Sequence, residues 1–271
     1  MKLILNIAIW CFAVSMTAQD ISLVKYTTEE DIAYIGSTTK DIYRNERCKL
    51  DVYYPTDMKD FPTIVWFHGG GLESGEKHIP KELMDKGVAV IAVSYRLSPV
   101  AKNPAYTEDA AAAVAWAFKN IASYGGSVND IYVSGHSAGG YLALMVGLDK
   151  SFLDKYGIDA DKIKGLIPIS GQTNTHYTIR KERYLPIDIP IIDKYAPINH
   201  ARKGIPPTLL ITGDRNLEMT ARYEENAHLE AILKAVGNDN VKLYELDGFD
   251  HGSVCAPGCF LMLEWIKKYS K

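Results

Sequence analysis

The chain has 271 residues, of which 47% are hydrophobic and 23% are charged, and its formal net charge is -3. These values are typical of a globular domain and exclude collagen-like, coiled-coil and disordered chains. With 30 basic residues against 33 acidic ones, the charge does not favour binding to nucleic acid or to an anionic membrane. Composition therefore predicts an enzyme-sized globular protein and leaves its chemistry open.

The first eighteen residues have the pattern of a secretory signal peptide. Lys2 precedes an apolar run from Leu3 to Ala18 that ends in small residues, and the run is too short for the roughly 20 residues of a membrane-spanning helix. We therefore predict a signal peptide over 1–18, a single domain over 19–271, and a secreted or periplasmic location without stable membrane insertion. A buried first helix or strand is the alternative.

Downstream, short β-branched and apolar strands alternate with helical stretches, which is typical of a mostly parallel sheet with crossover helices. The predicted strands are 49–54, 63–67, 88–93, 131–133, 165–169, 208–212 and 241–246. The predicted helices are 81–86, 107–121 with Thr107 as N-cap, 140–145, about 219–236 and 260–268.

A glycine-rich motif, His68-Gly69-Gly70-Gly71, directly follows the strand that ends at Phe67. Backbone N–H groups stabilise a developing oxyanion well because they need no reorganisation, and glycines let a substrate approach closely. We therefore predict that Gly70 and Gly71, together with Ala138, form an oxyanion hole. No Gly-Lys-Ser/Thr follows, which argues against a phosphate loop, and His68 is expected to brace the loop.

The sequence Gly135-His136-Ser137-Ala138-Gly139 matches the G-x-S-x-G pattern of a nucleophile elbow. A predicted strand leads into it and a predicted helix leads out of it, as the tight turn that exposes the serine hydroxyl requires. A glycine-rich strand-to-helix turn without catalytic function is the alternative. We predict Ser137 as the nucleophile.

The segment 171–206 fits neither the helical nor the strand period, and at roughly 35 residues it is too long for an ordinary connection. We interpret it as a cap-like insertion over the active site. Its aromatic residues include Tyr177 and Tyr184, which together with His68 and His136 are the candidate substrate-binding residues. Packing of the tyrosines against the sheet is an equally open alternative.

Asp250-His251-Gly252 follows the last predicted strand. Histidine has the side chain whose ordinary pKa best suits moving a proton from a serine to a leaving group. Of the seven histidines, only His251 lies where the chain order serine, acid, histidine requires it. We predict His251 as the general base.

These motifs, with Tyr95-Arg96-Leu97-Ser98-Pro99, resemble the α/β-hydrolase superfamily over about residues 40–269. Within it the chain is similar to hormone-sensitive-lipase-like esterases and to secreted feruloyl and acetyl-xylan esterases. The resemblance implies a mostly parallel sheet with helices on both faces. It also implies a serine carboxylic-ester hydrolase acting through an acyl-enzyme on acyl groups of carbohydrates or on small aryl esters. An arylformamidase, a peptidase or a catalytically impaired carbohydrate-binding protein of the same fold remain alternatives.

The sequence departs from that family at the catalytic acid. The family's usual position, three residues after Gly213, holds Asn216, and an amide cannot supply the negative charge that stabilises an imidazolium. Asp214 and Glu218 flank it, and we favour Glu218 for its longer reach. The third possibility is that neither carboxylate acts and activity is weak.

No metal or organic cofactor is expected, and the predicted partner is a small-molecule or carbohydrate ester. The oligomeric state stays open. Cys255 and Cys259 flank an Ala-Pro-Gly sequence that suggests a turn, so they are interpreted either as a disulfide or as free thiols.

Overall fold

The structure is a computed structural model that describes residues 24–36 and 40–270. The predicted signal peptide over 1–18 lies outside the described residues. Within them, no helix is both long enough and apolar enough to cross a membrane.

The described chain forms one eight-stranded sheet in the order β1-β2-β4-β3-β5-β6-β7-β8. The strands are β1 (Tyr26–Ala33), β2 (Lys49–Pro55), β3 (Phe61–Phe67), β4 (Ala89–Val93), β5 (Gly126–His136), β6 (Gly165–Ile169), β7 (Thr208–Gly213) and β8 (Val241–Leu246). β2 runs antiparallel to both of its neighbours, and every other pair is parallel. The predicted mostly parallel α/β sheet is therefore confirmed.

Helices cover both faces of this sheet. They are α1 (Ile42–Arg47), α2 (Ala105–Tyr124), α3 (Ala138–Leu148), α4 (Ser151–Asp154), α5 (Tyr177–Glu182), α6 (Arg222–Ala235) and α7 (Cys255–Tyr269). The buried side chains of α2 and α3 belong to one apolar cluster with one face of the sheet, and those of α7 belong to a second cluster on the other face. The loops that carry the predicted site residues lie at the carboxyl ends of the parallel strands between these layers.

Several local predictions were wrong. β1 was missed because its side chains are largely exposed and polar, which leaves no apolar period to detect. The helix predicted over 81–86 is only a 3-10 turn at Lys81–Leu83, and Thr107 is not an N-cap because α2 already begins at Ala105.

The Ala-Pro-Gly sequence between the two cysteines is also not a turn. It lies in the first turn of α7, where a proline is tolerated because its missing N–H has no helical partner. Cys255 and Cys259 are thus one helical turn apart, and both are free thiols. The structure therefore favours the free thiols over the disulfide.

Candidate active site

Ser137 lies at a tight turn between β5 and α3. Its backbone has φ 57° and ψ -116°, a conformation that a residue with a side chain rarely adopts and that is typical of a nucleophile elbow. A Cβ atom at Gly135 or at Gly139 would collide with the carbonyl of Phe67 on the neighbouring strand. The glycines of the motif therefore let the elbow pack directly on the backbone of β3.

Three side chains from three separate loops form a hydrogen-bonded series at this elbow. The Nε2 atom of His251 is 2.8 Å from the Oγ atom of Ser137, and its Nδ1 atom is 2.5 Å from Oε1 of Glu218. Ser137 follows β5, Glu218 follows β7, and His251 lies between β8 and α7. The arrangement can activate a serine hydroxyl, because the histidine can accept its proton and the carboxylate can stabilise the imidazolium that forms.

The structure separates the two candidate carboxylates, of which the sequence analysis favours Glu218. Glu218 contacts His251, whereas Asp214 caps its own loop by accepting hydrogen bonds from the backbone of Asn216 and of Gly248. The amide of Asn216 donates to Asp214 as well. The prediction of Asp214 as an alternative catalytic acid is therefore corrected, because its carboxylate oxygens are held within the turn after β7.

Glu218 is held as a carboxylate by the bonds it accepts. Its side chain is fully buried, and burial alone raises the pKa of a carboxyl group. Hydrogen bonds with His251, Ser170 and the backbone of Met219 outweigh that effect and lower its pKa to about 2. Oε2 accepts from the Ser170 hydroxyl at 2.6 Å, which leaves Oε1 directed at the histidine.

His136 contacts the backbone of His251, the predicted general base, instead of facing a substrate. Its Nε2 atom donates to the carbonyl of His251 at 2.6 Å, and burial together with the nearby His251 lowers its pKa to about 4. A neutral ring that fixes the loop of His251 is a positioning group. The substrate-binding role predicted for His136 is corrected accordingly.

The glycine-rich loop ends β3 next to the elbow. Gly70 and Gly71 have φ values of 108° and 64°, which glycine adopts without strain. Among the described residues, neither backbone N–H donates to another group, whereas the Gly71 carbonyl accepts a hydrogen bond from the Thr178 hydroxyl at 2.5 Å. The two amides are thus free to serve an oxyanion together with that of Ala138, at the first residue of α3.

Of the three remaining candidate substrate-binding residues, His68 and Tyr184 do not face the site, whereas Tyr177 lies at it. His68 is buried, its ring stacks on Tyr95 at 4.3 Å, and its Nδ1 donates to the carbonyl of Gly69, so it braces the loop and does not face a substrate. Tyr184 is 95% exposed beyond the end of α5, where nothing holds it over the site. Both predictions are corrected.

Tyr177 is the substrate-contact candidate that the structure places at the site. It begins α5 in the insertion between β6 and β7, and a Cβ atom on Gly71 would collide with its hydroxyl oxygen. The insertion therefore covers the glycine-rich loop. Tyr195, in contrast, packs partly against the apolar core, and its carbonyl accepts from the Tyr141 hydroxyl.

Sequence reasoning missed Ser170, Arg180 and Arg222. Ser170 directly follows β6, and a polar residue at the carboxyl end of a parallel strand is the signal that could have identified it. The two arginines lie in stretches without a motif, so no pattern marked them.

Over residues 24–36 and 40–270, no group of three histidine, cysteine or acidic side chains is arranged to hold a metal ion.

The fold and this serine, histidine and glutamate arrangement place the chain among proteins of the α/β-hydrolase fold. More narrowly, it belongs to the BD-FAE family, whose model matches residues 50–233, more than half of the chain.

Curated relatives include two of different stated activity. Esterase LipC of Mycobacterium tuberculosis is 28% identical over 228 residues, which are 75% of this chain and 56% of that protein. The kynurenine formamidase of Danio rerio is 34% identical over 130 residues, or 45% of this chain and 41% of that protein. The chain thus spans little more than half of the length of the one and less than half of the other.

Solved structures with the same fold cover nearly the whole chain. A truncated carbohydrate esterase from gut microbiota superimposes with a TM-score of 0.74 at 17% identity, covering 92% of this chain and 97% of that one. Esterase 2 of Thermogutta terrifontis, phosphoramylated by tabun, gives 0.70 at 21% identity and covers 89% and 94%. These likenesses confirm the α/β-hydrolase fold.

Proposed function

We propose that this protein is a serine carboxylic-ester hydrolase that works through an acyl-enzyme. The observation that carries the proposal is the hydrogen-bonded series from Ser137 through His251 to the buried carboxylate of Glu218. The family assignment and the esterase names of several relatives support the same reaction class.

In the proposed mechanism, Ser137 attacks the ester carbonyl while Nε2 of His251 takes the hydroxyl proton. The negative oxygen of the tetrahedral intermediate accepts hydrogen bonds from the amides of Gly70, Gly71 and Ala138. When the intermediate collapses, the carbon–oxygen bond to the alcohol breaks, and His251 returns the proton to the leaving alkoxide. Water, deprotonated by the same histidine, then releases the acid from Ser137.

For the substrate we propose acyl groups on carbohydrates or small aryl esters, outside the cytoplasm. One structural neighbour is described as a carbohydrate esterase from gut microbiota, which supports a carbohydrate ester as the substrate. The signal-peptide pattern over 1–18 supports export. Export is tested by expressing the full chain and sequencing the N-terminus of the protein outside the cytoplasm. A mature chain that starts near residue 19 is the expected result, and an intact Met1 would contradict it.

A second candidate is an arylformamidase, since the kynurenine formamidase relative is 34% identical over its matched part. The same nucleophile and oxyanion hole would cleave a formyl-aryl amide, as they would a peptide bond. The alternative of a carbohydrate-binding protein with an impaired site depends on Asn216 as the acid. The contact between Glu218 and His251 argues against it.

The test compares initial rates on 4-nitrophenyl acetate, acetylated xylan, methyl ferulate, a peptide amide and N-formylkynurenine. We expect kcat/KM to be highest on one of the three esters, with Ser137→Ala reducing the rate at least a thousandfold. Higher kcat/KM on the formyl amide would establish the second candidate. No rate above that of Ser137→Ala on any substrate would contradict both.

A further inference from the structure

A cavity of about 540 Å³ lies beside the serine, histidine and glutamate site, and no proposed step of the reaction uses it. The insertion forms one wall, and the loop after Glu218 with the start of α6 forms the other. Residues that line it and bear on its chemistry are Gln172, Tyr177, Arg180, Asp188, Arg222 and Glu225. Its volume falls within the usual range of small-molecule sites.

The cavity adjoins the reacting groups on two sides. Tyr177 lines it and covers Gly71 of the proposed oxyanion hole. On the other side, the Arg222 guanidinium donates to the carbonyl of Ser170, and the hydroxyl of Ser170 donates to Glu218. A group bound in this cavity would therefore belong to a substrate whose ester lies at Ser137.

Two buried guanidinium groups face this cavity without a carboxylate partner. Arg180 is 5% exposed and Arg222 is 4% exposed, yet no acidic oxygen of the described residues lies within ion-pair distance of either. Arg180 donates from Nη1 to the carbonyl of Ile189, and its buried Nε has no hydrogen-bond partner. Burial lowers the pKa of both side chains, which reflects the loss of water around them.

The two acidic residues on the cavity wall attract these arginines from a distance but form no ion pair with either of them. Glu225 accepts hydrogen bonds from the backbone of Thr173 at 3.1 Å and from the Gln172 amide at 3.5 Å. Asp188 is exposed to solvent. A buried guanidinium without a carboxylate in direct contact is costly, and its planar array of donors matches a carboxylate.

We propose that this cavity binds a carboxylate carried by the substrate, with Arg180 and Arg222 as the recognising groups. The inference rests on the proposed esterase function and names its substrate class: esters that bear an acid group, such as an acylated uronic acid or the monoester of a dicarboxylic acid. The first carries the carboxylate on the alcohol side of the scissile bond, and the second on the acyl side.

Matched ester pairs test this directly. On the acyl side, kcat/KM for mono-4-nitrophenyl glutarate is compared with that for neutral 4-nitrophenyl pentanoate. On the alcohol side, acetate release from an O-acetylated methyl glucuronoside is compared with release from the corresponding methyl glucoside. We expect the wild type to prefer the acidic member of one pair by about tenfold or more, as hydrogen bonds to a charged group allow.

The decisive comparison is the ratio of the two rates in variants. Arg180→Met should bring the preference close to one. Arg183→Met is the matched control, because it removes a positive charge from the same segment at an exposed site paired with Asp193, outside the cavity lining. It should retain the preference, which separates recognition in the cavity from attraction by the overall charge.

A binding measurement keeps the proposal testable without turnover. By calorimetry, Ser137→Ala should bind glucuronate or glutarate with a lower Kd than glucose or 1-pentanol. Adding Arg180→Met to that variant should remove the difference in Kd. Hydrolysis of the neutral esters with no preference for either acidic partner would overturn the proposal and leave the esterase function intact. If even the neutral esters are not hydrolysed, the proposed function fails, and equal binding of acidic and neutral probes would overturn the carboxylate site independently.

Discussion

The hydroxyl of Ser170 donates to Oε2 of Glu218 at 2.6 Å, at the carboxyl end of β6. Because Glu218 uses its other oxygen for His251, the Ser170 bond, together with those from the backbone N–H groups of Gly213 and Met219, fixes the plane of the carboxylate. Ser170 also offers its carbonyl to Arg222, so a single buried residue joins the acid to the neighbouring cavity.

Replacing Ser170 by alanine should therefore reduce catalysis without abolishing it. We expect kcat on 4-nitrophenyl acetate to fall by about three- to tenfold with little change in KM, since an interaction of about 1 kcal/mol with the acid is lost. Ser134→Ala is the control, because that serine is equally buried but donates to the carbonyl of Ile167. It should lower thermal stability and leave kcat within about twofold of wild type. An equal loss of kcat in both variants would mean that Ser170 acts only through stability.

Glu218→Gln and Asp214→Asn should have strongly different effects on kcat. The first removes the charge next to His251 and should lower kcat by about a thousandfold, whereas the second alters a capping contact and should change kcat less than about fivefold. Steady-state rates on a neutral aryl ester measure both. A large loss in Asp214→Asn with a small one in Glu218→Gln would reverse the assignment of the acid.

The lowered pKa of Glu218 also predicts how stability depends on pH. A carboxyl group with a pKa near 2 in the folded protein, against an ordinary value of 4.5, stabilises the fold when it is ionised. That stabilisation, roughly 3 kcal/mol, is complete above pH 4.5 and is lost as the pH falls toward 2. Urea unfolding of wild type and Glu218→Gln should therefore show a difference in the free energy of unfolding that shrinks below pH 4.5. A difference independent of pH would contradict the low pKa.

Gly71 and Tyr177 should be coupled. Gly71→Ala would place a methyl group against the Tyr177 hydroxyl, at a φ of 64° that alanine adopts with strain. We expect kcat to fall about a hundredfold, the usual effect of losing one oxyanion donor.

Adding Tyr177→Phe removes the colliding oxygen and should raise kcat about tenfold above that of Gly71→Ala alone. A double-mutant cycle measures this coupling. Gly70→Ala is the comparison, since its Cβ would collide with the backbone of Ser74 and no side-chain change relieves it. Equal rates in Gly71→Ala with and without Tyr177→Phe would show that the tyrosine does not contact the loop.

Much of the fold was predictable because buried parallel strands carry a strong local signal. The continuous apolar run ending at Phe67 and the segments around Ser134 and Ile211 each predicted a strand, and each forms one. β1 carries no such signal, because at the sheet edge only Ile32 and Ala33 interrupt its polar residues. Its pairing with β2 depends on contacts that are distant in the sequence.

The chemical site was predictable to the extent that its chemistry is local. The turn around Ser137 and the loop at Gly70 and Gly71 need particular residue types at fixed spacing, so the sequence indicates them. Contacts such as Ser170 with Glu218 join residues 48 positions apart, and only the assembled sheet brings them together. Tyr184 shows the converse: its place in the insertion predicted a substrate contact, but its side chain is exposed to solvent beyond the end of α5.

Whether Ser137 is the nucleophile can be decided by the mass of the protein after reaction with a fluorophosphonate, followed by peptide mapping. We predict one adduct per chain, located on Ser137, because His251 activates that hydroxyl and no other serine of the described residues has a histidine nitrogen within hydrogen-bond distance. Ser137→Ala should remain unlabelled, and Glu218→Gln should label much more slowly. An unlabelled wild type under conditions that modify a known serine esterase, or an adduct on a different serine, would show that Ser137 is not the nucleophile.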